Sequence, residues 1–199
     1  ARQDNTDVGA AWIFTRSGGI WSQQGNKLIG SGAIGSARQG TAVSISADGN
    51  TAAVGGIADN NSNGAVWIYS RTGGAWEQQG SKLTGTGAVG TAGLGLAIAL
   101  SSDGNTLLCG GFFDNSGLGA AWVFTRTGGS WSQQGSKLVG TGAIGLARQG
   151  WSVAISSNGN TAILGGPFDD TNVGASWIFT RSEGIWSQQG NKLVASSAN

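Results

Sequence analysis

The chain repeats with a period of 55 residues, and this period constrains its fold more than any other feature. Near-copies of the segment GAAWIFTR place one tryptophan in each of four repeats, at Trp12, Trp67, Trp122 and Trp177. Near-copies of the segment WSQQGNKL place a second series at Trp21, Trp76, Trp131 and Trp186. A fixed period of this length indicates one supersecondary unit stacked several times. One asymmetric catalytic constellation is hard to build from near-identical units, so the repetition favours multivalent binding or assembly.

Composition excludes several classes of function. Charged residues make up 11% of the chain and the formal net charge is +1, so there is no electrostatic basis for binding nucleic acid or an anionic membrane. No run approaches the roughly 20 apolar residues of a membrane span, so we expect no membrane insertion. The 39% hydrophobic content is too high for a disordered glycine-rich tract, although the chain holds 38 glycines.

The residues that usually carry catalysis are missing from the sequence. The chain has no histidine, which is the commonest general base, and it has no nucleophile elbow or phosphate-binding loop. We therefore predict a non-enzymatic protein with no cofactor. The one cysteine, Cys109, occupies the register of Val54 and Leu164, so we expect it to be buried as a small hydrophobic residue.

Each repeat contains four segments with strand patterns. The first, at residues 41–46, 96–101 and 151–156, alternates branched residues with Ala or Ser, which is typical of a strand. An Asp-Gly or Asn-Gly dipeptide follows and favours a tight hairpin. The second strand ends in Gly-Gly, and the third, containing the first tryptophan, is apolar on both faces and is expected to be buried between sheets. The fourth is more polar, as an outer edge strand should be, and no helix is predicted.

Four antiparallel strands per repeat are typical of a β-propeller blade, with a solenoid of stacked hairpins as the alternative. We predict an all-β fold in which residues 1–199 form a single repeat domain. Its expected divisions are a partial blade at 1–29, blades at 30–84 and 85–139, and a blade with a C-terminal tail at 140–199.

The segments QGTAVSIS, QGWSVAIS and LGLAIALS, followed by AVGG, LCGG or LGGP and by GA-x-W-[IV], resemble FG-GAP repeats. These repeats form the blades of integrin-α-type propellers and of many bacterial surface proteins, and the stretch SVAISSNGNTAILGG also resembles a WD40 blade. The resemblance covers nearly the whole chain and implies a propeller architecture, but propellers host many unrelated activities. Calcium-binding FG-GAP blades carry an acidic loop where this chain has only SADGNT, SSDGNT or SSNGNT. This departure argues against a calcium site.

Counting strands from these patterns gives about fourteen, or three and a half blades, because the first residues align with the middle of a blade. Three arrangements remain open: a fragment of a longer propeller, a ring completed by another copy, or an open assembly in which a neighbour covers an exposed edge.

An Asp-Asn pair recurs in the loop between the second and third strands and is a candidate ligand site. It would offer carboxylate and amide groups to sugar hydroxyls or to a weak cation, with Asp169 and Asp170 as the best place for the cation. The alternative is an Asx turn, in which the side chain caps its own backbone. The candidate residues are Asp4, Asn5, Asp59, Asn60, Asp114, Asn115, Asp169 and Asp170.

The tryptophans could stack on sugar rings, but their strand positions favour burial between blades. Trp151 differs, since its register partners are Thr41 and Leu96, and it is a further candidate ligand-binding residue. The repeated Gln-Gln-Gly-x-Lys segment is expected to protect a solvated edge or to form lateral contacts between copies. An arginine ends each third strand, where a salt bridge or stacking on tryptophan is expected.

The sequence thus predicts a non-enzymatic extracellular or cell-surface repeat protein. It would act by multivalent contact as an adhesion or scaffold module and assemble with copies of itself. The alternative is a propeller lectin that binds carbohydrate at the repeated loops.

Overall fold

The computed structural model describes residues 1–196, which form four successive antiparallel sheets. Blade 1 has two strands, β1 (Phe14–Ser17) and β2 (Ile20–Gln23). Each of the other three blades has four, which pair in chain order from the first to the last. Blade 2 contains β3 (Gln39–Ile45), β4 (Thr51–Gly56), β5 (Ala65–Thr72) and β6 (Ala75–Gln78). Blade 3 contains β7 (Ile98–Leu100), β8 (Thr106–Gly111), β9 (Ala120–Thr127) and β10 (Ser130–Gln133). Blade 4 contains β11 (Ser152–Ile155), β12 (Thr161–Gly166), β13 (Ala175–Ser182) and β14 (Ile185–Gln188).

The all-β class, the four-stranded unit and the number of strands agree with the sequence prediction, with fourteen strands in the described part of the chain. The third strand of a blade is buried on both faces as predicted. In β5, the consecutive residues Val66, Trp67 and Ile68 are all at most 1% exposed. Alternate side chains of a strand point to opposite faces, so blade 2 must be covered on both sides.

The Asp-Gly turns are wider than the predicted tight hairpins. Strand β3 ends at Ile45 and β4 begins at Thr51, and only Gly49 within the connection has a positive φ, of 67°. The Asp48 carboxylate holds this turn, since its Oδ1 accepts hydrogen bonds from Ser46 Oγ at 2.5 Å and from the Asn50 backbone N–H at 2.9 Å. The aspartate therefore shapes the turn with its side chain and leaves the left-handed position to glycine.

Four short helical turns depart from the prediction of a chain without helices. They are α1 (Asp4–Asp7), α2 (Asp59–Ser62), α3 (Asp114–Gly117) and α4 (Asp169–Asn172). Their central residues are left-handed; in α2, Asn60 has φ 49° and Asn61 has φ 55°. These turns are compact loops rather than regular helices, and among the described residues no helix is long or apolar enough to span a membrane.

Neighbouring blades pack face to face; the face of a blade that is turned towards the preceding repeat is here called its leading face, and the opposite face its trailing face. On β5, Trp67 and Tyr69 belong to the leading face and pack against blade 1. Val66 and Ile68 belong to the trailing face and pack against blade 3. A third core joins blade 3 to blade 4, so three interblade cores stabilise the described structure. Cys109 lies in the core between blades 2 and 3 and is completely buried, as predicted.

Candidate functional site

In each of blades 2 to 4, the first aspartate of the predicted pair forms a buried latch that holds its own repeat together. The Asp114 side chain is 1% exposed. Its Oδ1 accepts a hydrogen bond at 2.7 Å from the backbone N–H of Val89, in the linker that precedes the blade. Its Oδ2 lies 2.5 Å from the Nζ of Lys137, just after the last strand. A buried carboxylate needs such compensation, because removing its charge from water is costly.

The same latch recurs in the other complete blades. Asp59 accepts from the Ile34 backbone N–H at 2.8 Å and pairs with Lys82 at 2.5 Å. Asp169 accepts from the Ile144 backbone N–H and pairs with Lys192. These lysine side chains are only 14% to 17% exposed, so the prediction that they protect a solvated edge is wrong. The predicted Asx turn is wrong too, since each carboxylate bonds a distant segment rather than its own turn.

Blade 1 carries an incomplete version of the latch. Asp4 pairs with Lys27 at 2.5 Å, but the two side chains are 24% and 37% exposed. The difference arises because the linker that supplies the backbone donor in other blades has no counterpart before Asp4 within the chain.

The second residue of each pair lies on the outside of its loop. Asn5, Asn60, Asn115 and Asp170 are all exposed and all have a left-handed backbone, which asparagine and aspartate tolerate better than most residues. The structure therefore separates the predicted pair into a buried carboxylate and an exposed neighbour. Ligand binding at these residues stays a prediction. Among the described residues, no cluster of three or more His, Cys, Asp or Glu side chains is placed to hold a metal ion.

Trp151 lies in an aromatic cluster that the repeat does not duplicate. Its ring meets Phe112 edge to face at 4.8 Å and Phe168 at 5.7 Å between centroids. The Arg148 guanidinium lies 4.2 Å from the Phe168 ring centre and 5.8 Å from that of Trp151. Trp151 is 39% exposed, so the cluster presents an aromatic and cationic surface to solvent.

Apart from Trp151, the tryptophans of blades 2 to 4 have structural roles. Trp67, Trp122 and Trp177 are fully buried, and the Nε1 of each donates a hydrogen bond at 2.8 Å to a linker carbonyl, which belongs to Ser31, Thr86 or Thr141. Trp76 stacks under Arg71, whose guanidinium lies 5.6 Å from the ring centre, and this confirms the predicted stacking of arginine on tryptophan. Burial of these indoles agrees with the sequence prediction for the first series.

A cleft between blades 1 and 2 was not predicted as a site. Its volume is about 320 Å³, and its walls include Ala11 and Ile13 of blade 1, Val43 and Ile45 of β3, and Val54 of β4. Val43 is 64% exposed and Ile45 is 53% exposed, because blade 1 has no inner strands in this chain to cover them. The strand count in the sequence carried the signal for this cleft, since half a blade must leave its neighbour's inner strands uncovered.

The comparisons with known proteins address the fold. No protein-family model and no curated protein matches the chain. Among solved structures, a protein from Lactobacillus plantarum superposes with a TM-score of 0.63 at 20% identity, over 94% of this chain and 50% of that one. This likeness and the sheet order support one conclusion. The chain is a β-propeller-type repeat protein.

Two weaker likenesses complete the comparison. TolB from Acinetobacter baumannii has a TM-score of 0.46 at 16% identity, over 92% of this chain and 37% of that one. A fucose lectin from Kordia zhangzhouensis, in complex with methyl-fucoside, has a TM-score of 0.46 at 11% identity, over 79% of this chain and all of that one. Neither supports an argument about function. The chain spans 37% to 57% of the length of the first three solved structures that it resembles.

Proposed function

We propose that the chain is a non-enzymatic binding module that acts by multivalent contact, as an adhesion or scaffold unit, and assembles with copies of itself. The supporting observation is that the end blades expose the faces that middle blades bury. On the trailing face, Ile163 of blade 4 is 37% exposed, whereas its counterparts Ala53 and Leu108 are fully buried. On the leading face, Phe14 of blade 1 is 52% exposed, whereas its counterpart Phe124 is 2% exposed.

Apolar surface of this kind favours association, because burying it removes it from water. We place the protein outside the cell or at its surface, since the low charge and the abundance of glycine and small polar residues suit a secreted repeat protein. A catalytic role has little support, as the chain has no histidine and its Asp-Lys pairs are used within the fold.

The mass of the purified chain in solution tests this proposal. Light scattering over a range of concentrations, followed by electron microscopy, is expected to show rings or filaments of several chains. A compact monomer at every concentration, with no binding to cell-surface material, would refute it.

Carbohydrate binding is the second candidate, and the aromatic cluster around Trp151 is the observation that favours it. An exposed indole beside an arginine can stack on the apolar face of a sugar while the guanidinium donates to hydroxyls. Titration with a panel of methyl glycosides should then change the tryptophan fluorescence of the chain. Trp151→Thr is the matched variant, since Thr41 occupies the same register position, and it should remove the change. A change that survives the substitution would exclude this site.

A further inference from the structure

The three interblade contacts in the chain share one hydrogen-bonded relay. Gln24 of blade 1 accepts through its Oε1 from Trp76 Nε1 at 2.9 Å and from Arg71 Nη1 at 3.3 Å, both in blade 2. The relay recurs at Gln79, which accepts from Trp131 and Arg126, and at Gln134, which accepts from Trp186 and Arg181. The acceptor therefore always lies on the trailing face of one blade and the donors on the leading face of the next.

The two ends of the chain hold the unmatched halves of this relay. Trp21 and Arg16 occupy the donor positions of blade 1, where Trp21 is 64% exposed and Arg16 is also exposed. Gln189 occupies the acceptor position of blade 4 and is exposed, whereas Gln24, Gln79 and Gln134 are half-buried. Within the described residues, none of the side chains of Arg16, Trp21 and Gln189 has a hydrogen-bond partner.

A threonine supports the same match. Arg126 also donates to Thr51 Oγ1 at 3.3 Å, and Arg181 to Thr106 Oγ1 at 3.4 Å. Both threonines are at most 5% exposed, but Thr161, which holds this position in blade 4, is exposed. The trailing face of blade 4 thus presents both acceptors that an arginine in the register of Arg16 would use.

The apolar residues around the relay are complementary as well. On internal leading faces the tryptophans at the register of Trp12 are fully buried, and Phe124 and Phe179 at the register of Phe14 are at most 4% exposed. Small or branched side chains lie opposite these rings on the preceding blade, among them Ala53 and Leu108. Ile163 occupies the same register position on blade 4. The leading face of blade 1 therefore presents aromatic rings, and the trailing face of blade 4 presents the kind of apolar surface against which such rings pack in the internal interfaces.

We propose that the trailing face of blade 4 binds the leading face of blade 1 of a second copy, with Trp21 and Arg16 donating to Gln189 and Thr161. This inference rests on the proposed self-assembly and specifies which two faces of the chain meet in it. The surface is a continuation of an interface that the chain already forms three times. Because the two faces differ, the contact is head to tail and generates a ring if the rotation closes or a filament if it does not.

The linker beyond Lys192 is not part of the proposed contact. In the internal repeats the linker packs a glycine against the buried tryptophan of the next blade; a Cβ on Gly85 would lie 2.6 Å from Trp122 Nε1. Ala195 occupies this register position after blade 4, so its methyl group would collide with Trp12 of the next copy. The contact is therefore formed by the faces of the two blades rather than by this part of the linker.

Substitution of Gln189 by lysine tests the contact. Gln189→Lys removes the acceptor and places an ammonium opposite Arg16, so it should raise the dissociation constant of the assembly by about tenfold or more. Ser187→Lys is the matched control, because it adds the same charge to the same strand at an exposed position where the second repeat carries Glu77. The control should assemble like the unmodified chain, and circular dichroism should show both variants folded.

A mixing experiment establishes the polarity of the contact. Trp21→Ala removes the donor face but keeps Gln189, and Gln189→Lys does the opposite, so light scattering should find each variant alone monomeric at a concentration just sufficient for the unmodified chain to assemble. Their mixture should give a complex of two chains and nothing larger, because only one productive contact is available.

The outcomes separate this inference from the broader proposal. If the unmodified chain assembles and Gln189→Lys assembles equally well, the head-to-tail contact is wrong and self-assembly stands. If the unmodified chain is monomeric at all concentrations, both the head-to-tail contact and self-assembly are overturned. The exposed end faces would then be expected to pack against further repeats of a longer polypeptide. Assembly in which the mixed variants fail to form a pair would also overturn the contact.

Discussion

At the scale of single residues, the repeated aspartates show how a candidate ligand residue serves the fold instead. The Asp59 side chain, in the loop between β4 and β5, bonds both the Ile34 backbone N–H of the linker and the Lys82 ammonium, and these three segments are far apart in sequence. Aspartate followed by asparagine in a loop is an ordinary sign of polar recognition, and nothing in its neighbourhood indicates burial. The pairing lysine lies 23 residues further on. The role of the residue therefore depends on a partner that local sequence does not identify.

Replacing Lys82 by methionine should destabilise blade 2 strongly. Asp59 is 1% exposed, so the substitution leaves a buried carboxylate without its cation, and we expect the free energy of unfolding to fall by about 3 kcal/mol. Urea denaturation followed by tryptophan fluorescence measures the change. Lys27→Met is the control, because the Asp4 pair is half-exposed and should cost about 1 kcal/mol or less. Equal losses in the two variants would contradict the assignment of a buried latch.

Replacing Tyr69 by phenylalanine should stabilise the chain. Tyr69 is 3% exposed, and its hydroxyl is buried with no hydrogen-bond partner among the described residues. Burial also raises the pKa of this phenol far above its ordinary value. Removing an unsatisfied hydroxyl is expected to raise the free energy of unfolding by about 1 kcal/mol. The register partners Phe14, Phe124 and Phe179 show that the position accepts phenylalanine.

The converse substitution, Phe124→Tyr, should lower the midpoint of urea unfolding by burying a new hydroxyl in blade 3. A lower midpoint for Tyr69→Phe would instead mean that the hydroxyl has a partner in solution, such as an ordered water.

At the scale of elements, strand positions could be predicted from the sequence and turn conformations could not. The alternation in the first strand and the apolar run around Trp67 are local patterns, because side chains in a strand alternate with a period of two. The left-handed turns α2 and α3 are centred on Asn60–Asn61 and Asn115–Ser116, which the sequence places in a loop without predicting its left-handed conformation. The same left-handed conformation occurs in α1, where Asn5 has φ 51° although the latch is incomplete, so the turn does not depend on the complete latch.

The turns between the first and second strands should make stability depend on acid pH. The Ser46 hydroxyl and Asn50 backbone N–H lower the pKa of Asp48. Partial burial opposes ionisation of Asp103, but Ser101 and Asn105 outweigh it, and the pKa of Asp103 is lowered too. Because these pKa values are lower in the folded state than in the unfolded state, the stabilisation is complete above a pH of about 4 and disappears as the pH falls further.

The double variant Asp48→Asn and Asp103→Asn should therefore lose less stability between about pH 5 and pH 2 than the unmodified chain. Thermal unfolding at a series of pH values measures the difference. Asn158 already occupies this position in blade 4, where its Oδ1 accepts from the Ser156 hydroxyl, so asparagine is compatible with the turn. An unchanged acid slope would show that these carboxylates do not control it.

At the scale of the whole molecule, stability should decline from the middle blades towards the ends, because each repeat contacts only its neighbours. Blade 1 has two strands with side chains mostly exposed, whereas β5 and β9 of the middle blades are buried on both faces. Hydrogen exchange followed by mass spectrometry should show faster exchange in β1 and β2 than in β5 and β9. If the head-to-tail contact forms, raising the protein concentration should slow exchange in β1 and β2 and leave β9 unchanged. Uniform exchange along the chain would argue against independent end blades.

The sequence by itself determined the repeating unit, its four strands, the burial of Cys109 and of Trp67, Trp122 and Trp177, and the presence of an incomplete blade. These properties depend on periodicity and on the local pattern of polar and apolar residues, and the same pattern occurs in every copy of the repeat. Only the tertiary structure decided that the aspartates of blades 2 to 4 are buried latches, that Trp151 joins two phenylalanines and an arginine, and that Trp21 and Gln189 are exposed at opposite ends of the stack. Each of these features joins segments from different parts of the chain. Such pairings form when blades pack face to face, and the same residue is buried in the middle of the stack and exposed at its ends.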